Sequence, residues 1–268
     1  MQMTIGDFRC AYDVVGQGPF LTLFHSVGLS TREGWRNQIM AFSEHFTVIS
    51  FDFRGLGQST KGSKPLGVDT YVADTELLLK TLGVTETAIM GISLGGFVAQ
   101  AFALKRPETV SAMVLVSTTC GHLPENQPRR AERIERVRRL GMTTAVDAQL
   151  DHQFPSEFAE RNPEVMRWYS QHYLSNDPQH YADVLEDLGR FNSAERLASV
   201  KCPTLIVGGD SDTSVVAGKH PLDSPTKLHG MIPGSNLAII PGAKHYPQID
   251  HADVFNVTVV DYLRRHVG

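Results

Sequence analysis

Short apolar runs of strand length alternate along much of the chain with longer segments whose apolar positions recur at helical spacing. The strand-like runs cover residues 20–24, 46–51, 87–90, 112–116, 203–207 and 237–240. Continuous apolar runs are typical of strands buried on both faces, and their alternation with helices is typical of βαβ units. The pattern therefore predicts a mostly parallel sheet with helices on both faces.

The two ends of the chain carry further elements. Residues 3–8 and 9–15 are each half apolar, and the turn signal GQGP follows at 16–19, so an opening hairpin is predicted. Helical spacing of apolar residues predicts helices over 71–82, from just after Ser93 to Lys105, and over 252–265.

Residues 121–198 interrupt the alternation, because they are helix-like, charged and aromatic and contain no obvious buried-strand run. A chain of 268 residues is a normal length for one α/β domain. We therefore predict one core domain, formed by residues 1–120 and 199–268, with residues 121–198 inserted as a helical cap.

A candidate nucleophile lies between a predicted strand and a predicted helix. Residues 88–97 read AIMGISLGGF and place Ser93 in a G-x-S-x-G turn. At such an elbow Gly91 and Gly95 relieve crowding around a strained serine, and the helix directs its unpaired N–H groups at the site. The structural alternative is a glycine-rich turn that only packs a helix on the sheet.

A serine hydroxyl needs a neighbouring base, and histidine is suited to that task near neutral pH. His245 follows the last predicted strand, whereas His251 falls at the start of the final helix and is expected to be solvated or capping. The acid should follow another strand, between Ser93 and His245 in sequence. Asp212 is favoured over Asp210, whose alternative role is that of a turn residue.

Two backbone N–H groups are predicted to form an oxyanion hole, which stabilises the negative charge that develops on the carbonyl oxygen. One belongs to Leu94, directly after the predicted nucleophile, and the other to Val27 in the loop FHSVG at 24–28.

Together with the sequence DFRGLGQS at 52–59, these features resemble the α/β-hydrolase superfamily over nearly the whole chain. The resemblance implies the α/β-hydrolase fold: a mostly parallel eight-stranded sheet with helices on both faces and an inserted helical cap. In that superfamily the D-x-R-G-x-G-x-S segment is a structural hallmark beside the site. The resemblance to the superfamily also implies catalysis without a metal or an organic cofactor.

A narrower resemblance is to the 3-oxoadipate enol-lactonase group, which hydrolyses a small lactone ring. It rests on the turn SVG at 26–28, the elbow GISLGG, the sequence NDP at 176–178, Tyr181 and Phe191. The chain departs from the wider family at Ser26, where most members have glycine. The expected activity is hydrolysis of a small ester or lactone through an acyl-enzyme.

Five residues are expected to contact the substrate. His25 and Ser26 precede the predicted oxyanion donor, His122 follows a core strand, and Trp168 and His172 share one helix face in the cap. Packing of the cap on the core is the other explanation for the aromatic residues.

Composition narrows the possible partners to a small molecule. With 25 basic and 29 acidic residues, the chain has no charge excess that would gather nucleic acid or anionic lipid. It starts without a basic and apolar signal and contains no apolar run of about 20 residues. We expect a cytoplasmic protein that does not bind membranes, and a homodimer is compatible with the sequence.

Three other functions, two catalytic and one non-catalytic, fit the same residues. A Ser-His-Asp triad also serves carbon-carbon bond hydrolysis of vinylogous diketones and cofactor-free perhydrolysis, since a fold does not fix the reaction. A non-catalytic ligand receptor built on a hydrolase scaffold is the alternative from another class.

Overall fold

The computed structural model describes residues 1–121, 126–147, 150–213 and 223–267. Its strands are β1 (Gln2–Ile5), β2 (Phe8–Val15), β3 (Phe20–Phe24), β4 (Thr47–Phe51), β5 (Thr87–Ile92), β6 (Val110–Val116), β7 (Thr204–Gly209) and β8 (Asn236–Ile240). They form one sheet in the order β1-β2-β4-β3-β5-β6-β7-β8. β2 runs antiparallel to β1 and β4, and the other pairs are parallel. The predicted, mostly parallel sheet of eight strands is confirmed.

Helices connect the strands. They are α1 (Thr31–Gly34), α2 (Arg36–Ser43), α3 (Val68–Thr81), α4 (Leu94–Lys105), α5 (Gln127–Leu140), α6 (Thr143–Asp147), α7 (Leu150–Gln153), α8 (Ser156–Arg161), α9 (Pro163–Leu174), α10 (Pro178–Leu188), α11 (Asp223–Met231), α12 (Pro247–Asp250), α13 (Ala252–His266) and a 3₁₀ helix (Ala194–Ser199). The chain moves along the sheet in one direction from β3 to β4 and in the other from β4 to β5 and β6. Because parallel crossovers are right-handed, this reversal at β4 places α2 and the pair α3 and α4 on opposite faces of the sheet. Among the described residues, no helix is both long enough and apolar enough to cross a bilayer.

The central strands are buried on both faces, which explains their continuous apolar sequences. All residues of β5 and β7 are buried, whereas only the last residue of the edge strand β8 is. The carboxyl ends of these parallel strands meet at one edge of the sheet, where α/β proteins assemble their sites.

Several element boundaries differ from the sequence prediction, and for two of them a specific contact explains the difference. β5 continues past Met90 to Ile92, since Gly91 carries no β-carbon that would collide with the backbone of Gly95. α3 begins at Val68 rather than at residue 71, because the Asp187 carboxylate accepts the Val68 N–H at 2.9 Å.

Helices α5 to α10 lie between β6 and β7, in the segment predicted to be a cap. The two ends of this segment meet in an isolated bridge between Gly121 and Asn192. Beside the bridge, the Ser193 N–H donates to the Cys120 carbonyl at 2.8 Å. The segment therefore leaves and re-enters the core at one point, and its status as a separate cap over residues 121–198 stays a prediction.

The D-x-R-G-x-G-x-S segment forms internal polar contacts. Asp52 accepts the N–H groups of Thr31 and Gln58, both at 2.9 Å. Arg54 donates to both carboxylate oxygens of Asp74, at 2.6 and 2.7 Å, and its side chain is 1% exposed. These carboxylate hydrogen bonds raise the pKa of Arg54 and keep the guanidinium charged.

Replacing Asp74 with asparagine is expected to lower the free energy of unfolding by about 3 kcal/mol, because it leaves a buried cation with one carboxylate fewer. Urea unfolding at neutral pH measures the change. The control is Glu157→Gln, which removes an Arg161 pair that is 74% exposed on both sides and should cost less than about 1 kcal/mol. Equal losses in the two variants would contradict the structural role assigned to Arg54 and Asp74.

Candidate active site

Ser93 occupies a strained elbow between β5 and α4. Its backbone is left-handed, with φ 52° and ψ −113°, a conformation that costs a non-glycine residue about 1–3 kcal/mol. The elbow is held in place because the Ser93 N–H donates to the Val116 carbonyl at 3.1 Å and its carbonyl accepts the Gly96 N–H at 3.0 Å. The residue is half-buried, so its side chain is presented at the carboxyl edge of the sheet.

The flanking glycines are required by close backbone approach. A β-carbon on Gly91 would lie 2.1 Å from the Gly95 carbonyl oxygen, and one on Gly95 would lie 2.2 Å from the Phe24 carbonyl oxygen. The same approach brings the loop after β3 against the first turn of α4, where the two predicted oxyanion donors, Val27 and Leu94, are located. Leu94 is the first residue of α4, a position whose N–H has no partner within the helix.

Asp212 and His245 form a buried pair after β7 and β8. The His245 Nδ1 lies 3.0 Å from the Asp212 Oδ2, and the two side chains are only 5% and 6% exposed. A carboxylate at Nδ1 favours the tautomer with the proton on that atom, which leaves Nε2 as the atom that can accept a proton.

Asp210 has a different role from Asp212. Its carboxylate accepts the Gly242 N–H at 2.7 Å, so it holds the loop after β8 rather than the histidine ring. The neighbouring Ser211 N–H donates to the Ala243 carbonyl at 3.1 Å, which adds a second link between the same two loops. The structure thus separates the two candidate acids by what they contact.

The loop that carries His245 is also held from its carboxyl side. The Asp250 carboxylate accepts the Lys244 N–H at 3.1 Å and lies 2.8 Å from the His251 Nδ1. Its side chain is fully buried, and this burial raises the pKa of Asp250 to about 6 despite the two hydrogen bonds. His251 therefore contacts Asp250, whereas His245 contacts Asp212.

This raised pKa predicts a specific pH dependence of stability. The folded chain binds the Asp250 proton more tightly than the unfolded chain does. The bound proton therefore adds to the free energy of unfolding; this contribution is complete below about pH 4 and is lost as the pH rises through about 6. The free energy of unfolding of the wild type, minus that of Asp250→Asn, should fall by about 3 kcal/mol between pH 4 and 7. Urea titrations at several pH values measure it.

The control for this experiment is Asp253→Asn, which removes an exposed carboxylate three residues further along the chain. The difference in free energy of unfolding between the wild type and Asp253→Asn should vary by less than about 0.5 kcal/mol over the same pH range. If the free energies of unfolding of the wild type and Asp250→Asn differed by the same amount at every pH, the predicted titration would be contradicted.

The predicted substrate contact of His25 is wrong. Its ring is fully buried, with Nδ1 2.6 Å from the Ser26 carbonyl oxygen and Nε2 accepting the Phe53 N–H at 2.9 Å. Burial lowers the pKa of His25, which favours the neutral ring that these two contacts require. His25 therefore shapes the loop after β3 from inside and has no ring nitrogen left for a substrate.

Trp168 and His172 do share one face of α9, but their polar atoms bind a core carboxylate. The Trp168 Nε1 donates to the Glu33 Oε2 at 2.8 Å, and the His172 Nε2 lies 3.5 Å from the Glu33 Oε1. The inward residues of this helix are Tyr169 and Tyr173, which are 0% and 3% exposed. These contacts link α9 to α1, and the predicted substrate contacts of Trp168 and His172 stay predictions. His122 lies outside the described residues.

A cluster of hydroxyl groups beside the loop after β3 was not predicted by the sequence analysis. The Ser26 Oγ lies 3.0 Å from the Tyr246 hydroxyl, and the Tyr173 hydroxyl lies 2.6 Å from that of Tyr181. Arg133 of α5 donates to Tyr173 at 2.9 Å and also to Tyr181. The sequence analysis named Ser26 and Tyr181 for other reasons, and the position of Tyr246 directly after the predicted base was a further signal.

Comparison with known proteins assigns the chain to a family. The family model for the alpha/beta hydrolase fold matches residues 21–252, and the chain belongs to that family. The 3-oxoadipate enol-lactonase 2 of Acinetobacter baylyi is 28% identical over 266 residues, which span 98% of this chain and 96% of that protein.

Two solved structures are also similar. The enol-lactonase from Burkholderia xenovorans LB400 has a TM-score of 0.89 at 26% identity and covers 98% of this chain and 100% of its own. A thermophilic esterase from Thermogutta terrifontis has a TM-score of 0.90 at 25% identity, with 100% of both chains covered. Both structures share the fold of this chain over at least 98% of its length.

Proposed function

We propose that this chain is a serine hydrolase that cleaves a small ester or lactone, with Ser93 as nucleophile, His245 as base and Asp212 as the orienting acid. The buried Asp212–His245 hydrogen bond carries this proposal. The loop of His245 is already held by Asp210 and Asp250 through backbone N–H groups. A further buried carboxylate on the imidazole ring is therefore not needed for loop geometry, whereas a catalytic base needs it.

The proposed cycle has two halves. His245 removes the proton from the Ser93 hydroxyl, whose oxygen attacks the substrate carbonyl, while the N–H groups of Val27 and Leu94 stabilise the oxyanion. The C–O bond to the leaving oxygen breaks, and His245 protonates that oxygen, which yields an acyl-enzyme. A water molecule activated by His245 then attacks the acyl carbon and releases the acid together with free Ser93.

Arg133, which contacts the hydroxyl cluster from α5, supports a substrate with a polar or anionic tail. Arg133 is half-buried and donates to two phenol oxygens, and among the described residues no carboxylate pairs with it. A guanidinium without a carboxylate partner favours an acceptor group on a ligand. The Acinetobacter relative is named for a lactone of 3-oxoadipate, a dicarboxylic acid, which supports the same substrate class.

The experiment is steady-state hydrolysis of 4-nitrophenyl acetate, 4-nitrophenyl butyrate, the 4-nitrophenyl half-ester of succinic acid and small unsubstituted and carboxylated lactones. We expect turnover in the ester and lactone arms, with a higher kcat/KM for the carboxylated member of each pair. Product analysis with a vinylogous diketone and with hydrogen peroxide tests the carbon-carbon and perhydrolysis alternatives. No turnover in the ester and lactone arms, together with tight binding of a lactone, would contradict the proposal and support a receptor.

A further inference from the structure

One hydrogen bond joins the loop of a predicted oxyanion donor to the loop of the predicted base. The Ser26 Oγ and the Tyr246 hydroxyl are 3.0 Å apart, although the two residues are 220 positions apart in sequence. Ser26 precedes Val27, and Tyr246 follows His245. Both side chains belong to buried residues, each 2% exposed, so water competes poorly for this bond.

The phenol of Tyr246 is fixed by the rings around it. It stacks on Phe154 with ring centroids 5.6 Å apart and meets the edge of Tyr169 at 5.7 Å. The His245 ring lies 5.3 Å away at an interplanar angle of 79°. Burial raises the pKa of Tyr246, so the hydroxyl keeps its proton at physiological pH and can form a neutral hydrogen bond with Ser26.

The oxyanion loop is held from the cap as well. A β-carbon on Gly28 would lie 1.9 Å from the Tyr173 ring, so that ring rests directly on the loop backbone. The Asn176 side-chain amide donates to the Gly28 carbonyl at 2.9 Å. The cap contacts thus act at Gly28, whereas at Ser26 the side-chain hydroxyl is linked to the base loop.

We infer that Ser26 and Tyr246 are positioning residues, whose hydrogen bond sets the place of the Val27 N–H relative to His245. The inference rests on the proposed hydrolase function. An oxyanion donor is useful only where the oxyanion forms, and that place is set by the nucleophile and its base. A direct link between the two loops keeps both groups aligned with one reacting carbonyl, and small displacements of such groups are costly to the rate.

The test is a double-mutant cycle of Tyr246→Phe and Ser26→Ala, with 4-nitrophenyl butyrate as substrate and phenylboronic acid as a tetrahedral analogue. Each single variant should lower kcat by about 10- to 100-fold with KM changed by less than about 3-fold. The affinity for phenylboronic acid should fall in parallel with kcat/KM. Because both changes break the same bond, the double variant should be no slower than the slower single variant.

Tyr262→Phe is the matched control, since it removes another buried phenol hydroxyl, on α13. It should leave kcat and boronate affinity unchanged, and thermal unfolding checks that every variant is folded. If one single variant does not fold, the other tests the inference through its kcat and boronate affinity.

Multiplicative losses in the double variant, or loss of stability without loss of boronate affinity, would overturn the positioning role. A wild type that hydrolyses neither esters nor lactones would mark the failure of the proposed function instead.

Discussion

Replacing Ser93 with alanine is expected to lower kcat for 4-nitrophenyl ester hydrolysis by about 10⁴- to 10⁶-fold. The change removes the oxygen that forms the acyl-enzyme but leaves the oxyanion donors in place, so a small rate above the uncatalysed reaction should remain. Steady-state kinetics with freshly purified variant and wild type measure the ratio. Because alanine meets the same backbone strain at φ 52°, thermal stability should change little.

Ser117 provides a matched control for this variant. It follows the neighbouring strand β6, also has a left-handed backbone with φ 42°, and is 7% exposed. Ser117→Ala should keep kcat within about 3-fold of the wild type, since surrounding hydroxyls contribute little unless they touch the reacting atoms. Equal activity of Ser93→Ala and the wild type would contradict the role of Ser93 as nucleophile.

Replacing Asp212 with asparagine is expected to lower kcat by about 10⁴-fold with little change in KM. The amide is close in size to the carboxylate, so the variant should fold. However, an amide N–H facing Nδ1 favours the wrong imidazole tautomer and no longer stabilises the imidazolium. Kinetics at several pH values measure the loss, and part of the activity should return at high pH, where hydroxide can replace the base.

Asp210→Asn is the control for Asp212→Asn. Its side-chain oxygen can still accept the Gly242 N–H that Asp210 accepts at 2.7 Å, so the loop after β8 should keep its shape. We expect kcat to fall by less than about 10-fold, because a neutral hydrogen bond to Gly242 replaces a charge-assisted one. If Asp210→Asn lost as much activity as Asp212→Asn, the choice between the two carboxylates would be wrong.

The elements that place Ser93, Asp212 and His245 could be predicted from sequence because their signals are local. Each of the three residues follows a parallel strand, and those strands are short, largely apolar runs. The glycines beside Ser93 are local signals as well, since close backbone approach leaves no room for a β-carbon. Sequence order and strand position are therefore enough to bring three distant residues to one edge of the sheet.

The contacts that were not predicted are ones that a sequence does not display. His25 follows β3, near the predicted oxyanion donor, yet the Phe53 N–H that occupies its Nε2 comes from the loop after the neighbouring strand β4. Trp168 and His172 lie on one face of α9, but periodicity alone does not tell which face meets the site. The pairing of Ser26 with Tyr246 likewise requires the fold, because it joins opposite ends of the chain.

Covalent labelling tests the central claim most directly. The wild type is incubated with a fluorophosphonate, esterase activity is followed over time, and the modified peptide is identified by mass spectrometry. The account predicts one adduct per chain, located on Ser93, with activity lost in proportion to labelling. Ser93→Ala should remain unlabelled, and Asp212→Asn should be labelled much more slowly. Full esterase activity in a chain without an adduct on Ser93, or inactivation through another residue, would contradict the account.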